Sequence, residues 1–262
     1  NGDENHYEVS SQKPLMDSLR AFGNRFDPSP DKFKFSTNGL FGYIQYDTVG
    51  WFEDIKLEKT QESETPMMHY AMYQNIIVVD HYKNELHLFE HRVPGAENPE
   101  YLEEIEQLLN NKNIPAYTFK KIGEEVSNYT DEEFLKVLNQ GREHCFRGDV
   151  FQIVVSRRFT TEFKGDEFNV YRALRSVNPS PYLFYFDYGS FKVFGSSPEA
   201  QIVVKNKKAT IFPIAGTFRR TGNDQEDAAL ARKLYDDPKE NSEHVMLVDL
   251  ARNDLSRSSD VV

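Results

Sequence analysis

The sequence is poor in cysteine: its 262 residues include one, Cys145. A single thiol excludes an internal disulfide and fits a reducing compartment. It lies in an amphipathic helical pattern, where an inert core thiol is the ordinary reading and a nucleophile the other. Long apolar runs are lacking too. The longest aliphatic stretch, "IIVV" at 76–79, is far too short to span a bilayer. The polar opening "NGDENHYEVSSQ" has no signal-peptide pattern. A soluble, cytoplasmic protein with no membrane partner is expected. Positive charge is in deficit, and the net charge of −11 argues against a nucleic-acid partner, which needs a basic face. Repeats and low-complexity tracts are absent, and an aromatic content of 13% excludes a disordered chain.

What is present is enough chain for a sizeable core, as one large domain or two small ones. Residues 1–130 carry 12 Lys/Arg against 22 Asp/Glu, whereas 131–262 carry 19 against 20. An anionic ligand would be handled in the balanced half. "GLFGYIQYDTVGWFE" (39–53) opens as a strand, with Gly39 and Gly42 permitting close backbone approach. "QESETPMM" (61–68) reads as a loop. "HYAMYQNIIVVDHYKNELHLFEH" reads as two strands joined near Lys83-Asn84. "NPEYLEEIEQLLNN" is a helix with Leu102, Ile105, Leu108 and Leu109 inward.

A boundary is expected at 124–130, dividing an N-terminal subdomain (1–128) from a second domain (129–262). Thr130 and Glu133 form a capping-box signature for the helix "DEEFLKVLNQGREHCFRG". Strand "VFQIVVSRRF" and helix "EFNVYRALRSV" follow. Strands "YLFYFDY", "FKVFG", "AQIVVK" and "ATIFPI" come next at short intervals, which suggests an antiparallel meander. Helical segments close the chain. The fold class is α+β, with antiparallel sheets and helices packed outside them.

Several short stretches could carry chemistry. In "KENSEHVMLVDLARNDL" (239–255), Glu240 and Glu243 lie one helical turn apart, ahead of an apolar run that predicts a buried helix. They are either a solvated helix start complementing the helix dipole or ligands for a hard divalent cation such as Mg²⁺. "IFPIAGT" (211–217) runs a strand into Ala-Gly-Thr. Backbone N–H groups and the Thr217 hydroxyl could meet an anion there, or the segment is an ordinary turn. In "GSSPEA" (195–200), Pro198 disfavours a central strand position and leaves Glu199 at an edge or bulge, where a surface role is the common one. Gln152, in "GDVFQIVVSRR", would point inward with Val154 and Ser156 on an alternating strand, and a buried amide needs partners.

Taken in order, "GDVFQIVVSRRF", "NPSPYLFYF", "GSSPEA", "PIAGT" and "KENSEHVMLVDLARNDL" resemble the chorismate-utilising enzymes, most closely component I of the anthranilate synthases. The match runs from about residue 39 to the end. The resemblance implies conversion of chorismate and ammonia to anthranilate and pyruvate, with ammonia supplied by a glutamine amidotransferase subunit. It implies Mg²⁺ held by Glu243 and approached by Glu240 through water, and a general acid at Glu199, partly desolvated so as to hold a proton. Gly216 N–H and the Thr217 hydroxyl are implied to take a substrate carboxylate. Gln152 occupies the position where water-adding relatives have a lysine base, which ammonia does not require. Ala215 stands where aminodeoxychorismate synthases commonly carry a lysine. Many members read Arg-Pro-Arg-Gly after Gly-Thr, whereas this chain has "FRRTG", a loop variant without an assigned consequence. Pro181, Tyr182 and Leu183 match a loop that contacts feedback L-tryptophan, although a rigid turn would equally explain the prolines.

Family members extend well past the region matched, with a catalytic histidine, a second metal-binding glutamate and substrate-carboxylate groups in the later part. The chain is therefore expected to be an internal fragment of about half an enzyme, with residues 129–262 the first half of the chorismate-binding domain, and inactive alone. Two alternatives stay open: component I of an aminodeoxychorismate synthase, and a non-catalytic module that binds tryptophan or docks a glutaminase.

Overall fold

The computed structural model describes residues 12–26, 33–55, 57, 65–92 and 97–262. The polar opening 1–11 and residues 61–64 of the expected 61–68 loop lie outside the described residues. Two compact units are present, residues 1–116 and 117–262. Among the described residues every sheet has two strands, and every pairing is antiparallel. The mixed class of antiparallel sheets with helices is as expected. None of the described helices is long and apolar enough to cross a membrane.

In the first unit, helix α1 (Gln12–Gly23) is followed by β1 (Phe41–Ile44), which pairs with β2 (Met68–Ala71). Gly42 lies opposite Tyr70, and a Cβ there would run into the His69 backbone, so the close approach read from the sequence is real at this glycine. At Gly39 a Cβ would meet nothing closer than a Phe41 ring carbon at 4.0 Å. A 3₁₀ turn (Tyr46–Trp51) buries Thr48, whose hydroxyl donates to the Gln45 carbonyl at 2.8 Å. The hairpin of β3 (Asn75–Asp80) and β4 (Glu85–Glu90) turns where expected. Asp80 accepts the N–H groups of Tyr82 and Lys83, and Asn84 takes the left-handed conformation at φ 54° that closes the turn. Phe33 and Phe35 pack edge-on or tilted against His87 and Phe89 of β4. Helix α2 (Leu102–Asn110) follows. Of its four expected inward residues only Ile105 is half-buried, and Leu108 is 63% exposed.

The second unit opens with β5 (Phe119–Ser127), which pairs across helix α3 (Asp131–Arg147) with β6 (Phe159–Gly165). The capping box forms as read. Thr130 Oγ1 accepts the Glu133 N–H at 3.2 Å, Thr130 N–H donates to Glu133 Oε2 at 2.9 Å, and Gly148 ends the helix at φ 80°. Helix α4 (Phe168–Val177) packs on the hairpin of β7 (Tyr182–Asp187) and β8 (Lys192–Ser197) through Phe168, Tyr171, Tyr185 and Phe194. One polar cluster pins this packing. Lys192 Nζ lies 3.1 Å from Glu167 Oε1, which also accepts the Tyr185 hydroxyl at 3.2 Å. Glu167's own backbone N–H, then Lys192, hold its carboxyl below the usual range, while burial and then Glu167 push the Tyr185 phenol up. Strands β9 (Val203–Lys205) and β10 (Lys208–Thr210) form a short hairpin, and helices α5 (Asp224–Asp236) and α6 (Pro238–Ser256) close the chain.

Three expectations are corrected. Residues 151–158 make no ladder, and the strand expected at 150–159 begins only at Phe159. Arg157 Nε donates to Ser127 Oγ at the end of β5 at 2.6 Å, but this contact adds no strand pairing. Instead Ile153 and Val155 lie over buried Gly141 of α3, where a Cβ would stand 3.3 Å from Ile153 Cγ2. The alternation survives without the strand but in the opposite phase to the one expected: Gln152, Val154 (87%) and Ser156, expected inward, are all exposed, while Val155 and Arg157 are half-buried. No meander forms, because β8 does not pair with β9, and Pro213, having no N–H, sits in unpaired backbone. Finally, α6 is not buried: Val245, Val248 and Leu250 are exposed, and half-buried positions run along one face through Glu243, Leu247 and Ala251. Burial is shallow throughout. Among described apolar residues only Leu15 is more than nine-tenths buried.

Candidate active site

The end of β8 sets one wall of the site. Ser197 Oγ donates to the Glu199 carbonyl at 2.9 Å and accepts the Glu199 N–H at 3.3 Å, a local turn closed around Pro198. Glu199 thus sits just past the strand end, as the proline predicted, and is half-buried.

Helix α6 sets the opposite wall. Asp237 is its N-cap, accepting the N–H groups of Lys239 at 2.9 Å and Glu240 at 3.1 Å, and Pro238 occupies the first turn. Starting the helix here puts Glu240 in its first turn and Glu243 one turn on, both half-buried.

Between these walls lies a cavity of about 660 Å³, which the extended segment 151–158 borders through Gln152. Its polar groups are Gln152, Ser197, Glu199, Gln201, Glu243 and Asp254. Ile211, Pro213, Ile214, Leu247 and Ala251 supply apolar surface. A few convergent polar groups in an apolar cleft are the usual make-up of a small-molecule site. Three residues singled out from three separate motifs, Gln152, Glu199 and Glu243, therefore share one cavity. Gln152 and Glu243 also border a second cavity of about 580 Å³, lined by Arg142, Cys145, Phe146 and Met246.

The remaining candidates lie apart from this cavity. Glu240 turns its carboxylate against the Cα of Gly216. Gly216 is half-buried and Thr217 exposed, and neither borders the cavity, although their neighbours Pro213 and Ile214 do. Pro181 precedes β7, which begins with exposed Tyr182 and half-buried Leu183. Ser197 and Asp254 were missed. Asp254 lies three turns beyond Glu243, a spacing that returns to the same helix face, and that periodicity was the available signal.

Among the described residues no group of three or more His, Cys, Asp or Glu gathers as a metal site. Glu240 and Glu243 nonetheless suit a hard cation that takes one or two protein carboxylates and completes its shell with water and substrate oxygens. The donor set fits Mg²⁺ used in that manner.

The family model for chorismate binding enzymes matches residues 3–262. The chain belongs to the chorismate-binding enzyme family. Among its relatives, component 1 of the anthranilate synthase of Neisseria meningitidis serogroup B is 39% identical, over 92% of this chain and 52% of the relative. The corresponding protein of Acetivibrio thermocellus is 31% identical over 99% of this chain and 55% of its own length. The crystal structure of anthranilate synthase component I from Streptococcus pneumoniae TIGR4 matches with a TM-score of 0.74 at 33% identity, covering 92% of this chain and 55% of that one. The chain spans about half the length of the curated relatives it matches.

Proposed function

We propose that this chorismate-binding chain is part of component I of an anthranilate synthase, a lyase that converts chorismate and ammonia to anthranilate, pyruvate and water. The observation that carries the proposal is the meeting of Gln152, Glu199 and Glu243 in one cavity, in a chain similar to anthranilate synthases over nearly its whole length. Residues 129–262 are then the first half of the chorismate-binding domain, residues 1–128 part of an N-terminal subdomain, and the protein is cytoplasmic.

Chorismate carries a ring carboxylate, a C4 hydroxyl and an enolpyruvyl ether. Ammonia adds at C2 while the double bonds shift toward C4 and the hydroxyl departs. Hydroxide is a poor leaving group, so a proton must reach that oxygen as the bond breaks. Glu199, whose backbone Ser197 holds at the strand end, gives it. Loss of the C2 proton and of pyruvate then aromatises the ring. Gln152 faces the ring with a neutral amide, which suffices because ammonia brings its own lone pair. Gly216 N–H and the Thr217 hydroxyl take a substrate carboxylate. Glu243, with Glu240 through water, would hold Mg²⁺, which when bound neutralises charge on the ring carboxylate and anchors it. A glutamine amidotransferase subunit supplies the ammonia, and L-tryptophan inhibits through Pro181, Tyr182 and Leu183.

Product chromatography on the whole enzyme, fed chorismate and ammonium, tests this. Anthranilate is expected. Aminodeoxychorismate would move the protein to the sister activity, against which Ala215 speaks. No product at all would favour a binding module. The 262-residue chain alone should show no turnover with ammonia or glutamine, because preorganised groups supply most of the rate and the relatives' other half is outside it. Robust activity of this chain would sink the fragment reading.

A further inference from the structure

The backbone at Gly216 does not call for glycine. Its φ lies outside the left-handed range occupied by Gly123, Gly148, Gly165, Gly189 and Gly222. What a side chain there would displace is the carboxylate end of Glu240. A Cβ on Gly216 would overlap Glu240 Oε2 and stand 2.7 Å from Glu240 Cδ and 3.1 Å from Leu234 Cδ1. All of these are closer than the roughly 3.5–4.0 Å of favourable carbon contacts. Among the described glycines, only Gly216 has a carboxylate where its side chain would be. Gly42 meets backbone there, and Gly195 the Phe184 ring.

The carboxylate is brought there by the start of α6. Asp237 holds the Glu240 N–H at 3.1 Å and Pro238 fixes the first turn, so the Glu240 backbone is set from the helix side. Its side chain then spans to the "PIAGT" segment, whose Pro213 and Ile214 border the cavity. We propose that Gly216 is a positioning residue: its bare Cα leaves the Glu240 carboxylate its seat beside the 213–216 segment and so sets how Glu240 and Glu243 are presented to a divalent cation. The role rests on the Mg²⁺ reading given above and is separate from N–H donation to a substrate, which uses another part of the same residue.

A double-mutant cycle tests it in the whole enzyme with Gly216→Ala, Glu240→Asp and both together. Glu240→Asp shortens the side chain by one methylene and clears the space a methyl needs. Two quantities are measured: binding of Mn²⁺, the probe for the cation site, by electron paramagnetic resonance, and the denaturant midpoint. Gly216→Ala should weaken Mn²⁺ binding about 10-fold and lower the midpoint, and adding Glu240→Asp should recover most of both, a coupling of the size seen between residues in contact. Simple addition of the two losses overturns the seat. Should Gly216→Ala fail to fold, restored folding in the double variant supports the seat and continued failure overturns it. If Mn²⁺ binds none of the four proteins while the midpoints remain coupled, the seat stands and the cation reading fails.

Discussion

The β3–β4 hairpin and the segment 151–158 are both rich in β-branched and aromatic residues, yet only one becomes sheet. "NIIVVD" finds its partner four residues on, through a turn that Asp80 and Asn84 close. "FQIVVSRR" makes no ladder, and its Ile153 and Val155 lie over Gly141 of α3 instead. The hairpin is a closed local transaction of hydrogen bonds. The second segment is tied to Asn128 at Arg158 and displays Gln152 at the cavity. The candidate residue Gln152 thus sits on a segment without strand pairing.

Substitutions can break that comparison. The largest effect is expected at Glu199. In the whole enzyme, Glu199→Gln should abolish loss of the C4 hydroxyl while leaving Mg²⁺ affinity near normal. Accumulation of aminodeoxyisochorismate in that variant would assign Glu199 to the later elimination instead. Glu243→Gln should lower activity by at least about 100-fold and weaken the Mg²⁺ dependence, the loss usual for a removed electrostatic group. An unchanged Mg²⁺ titration removes Glu243 from the metal site. Gln152→Lys sharpens the comparison, since a lysine on the unpaired segment could act as a base. Detectable isochorismate is expected from chorismate without ammonia, at a low rate because a general base contributes only about 10²–10⁴-fold and the site is not shaped for water. If anthranilate formation survives intact and no isochorismate appears, Gln152 does not face the ring.

In the hairpin, by contrast, Phe89→Ala should cost stability, about 2 kcal/mol for a half-buried ring that packs on Phe33, Phe35 and His87. It should leave the whole enzyme's kcat unchanged, and a large fall in kcat would dissolve the distinction between the two regions. The smallest effect concerns α3. Thr130→Ala should cost about 1 kcal/mol in denaturant unfolding. Thr130's backbone N–H, then its hydroxyl, hold the Glu133 carboxyl below its usual range. A lowered carboxyl stabilises fully above its unfolded value near about 4.3, and that contribution is lost as pH falls through the lower folded value. Acid should therefore loosen the first turn of α3, and hydrogen exchange of Glu133 and Phe134 amides in Thr130→Ala should depend less on pH across that window.

The legible features share a property with the hairpin: their partners are near in sequence. The capping box of α3, helix α4 and strands β7 and β8 formed as read because each closes within a few residues or packs on its neighbour. The burial of α6 and of Leu102, Leu108 and Leu109 was misread because an apolar pattern shows which face seeks cover, without showing what covers it. In the candidate site, the motif order led to Gln152, Glu199 and Glu243, which share the cavity. Gly216 was read for its N–H alone, and its missing side chain proves to be Glu240's place. Asp254 went unnoticed because its relation to Glu243 is one of helix phase, three turns apart, and no short motif spans it.

Asp237 ends α5 and caps α6 at once, so the two helices meet with no spacer between them. That joint makes the chain intolerant of length change at one point and indifferent at others. One residue inserted after Asp237 would turn every later position of α6 by about 100° and advance it by about 1.5 Å relative to α5. Glu243 would leave its cavity wall, though no residue of the site had been altered. The same insertion in the 188–190 turn between β7 and β8, where Gly189 already relaxes the backbone, would lengthen a surface loop and leave the site in place.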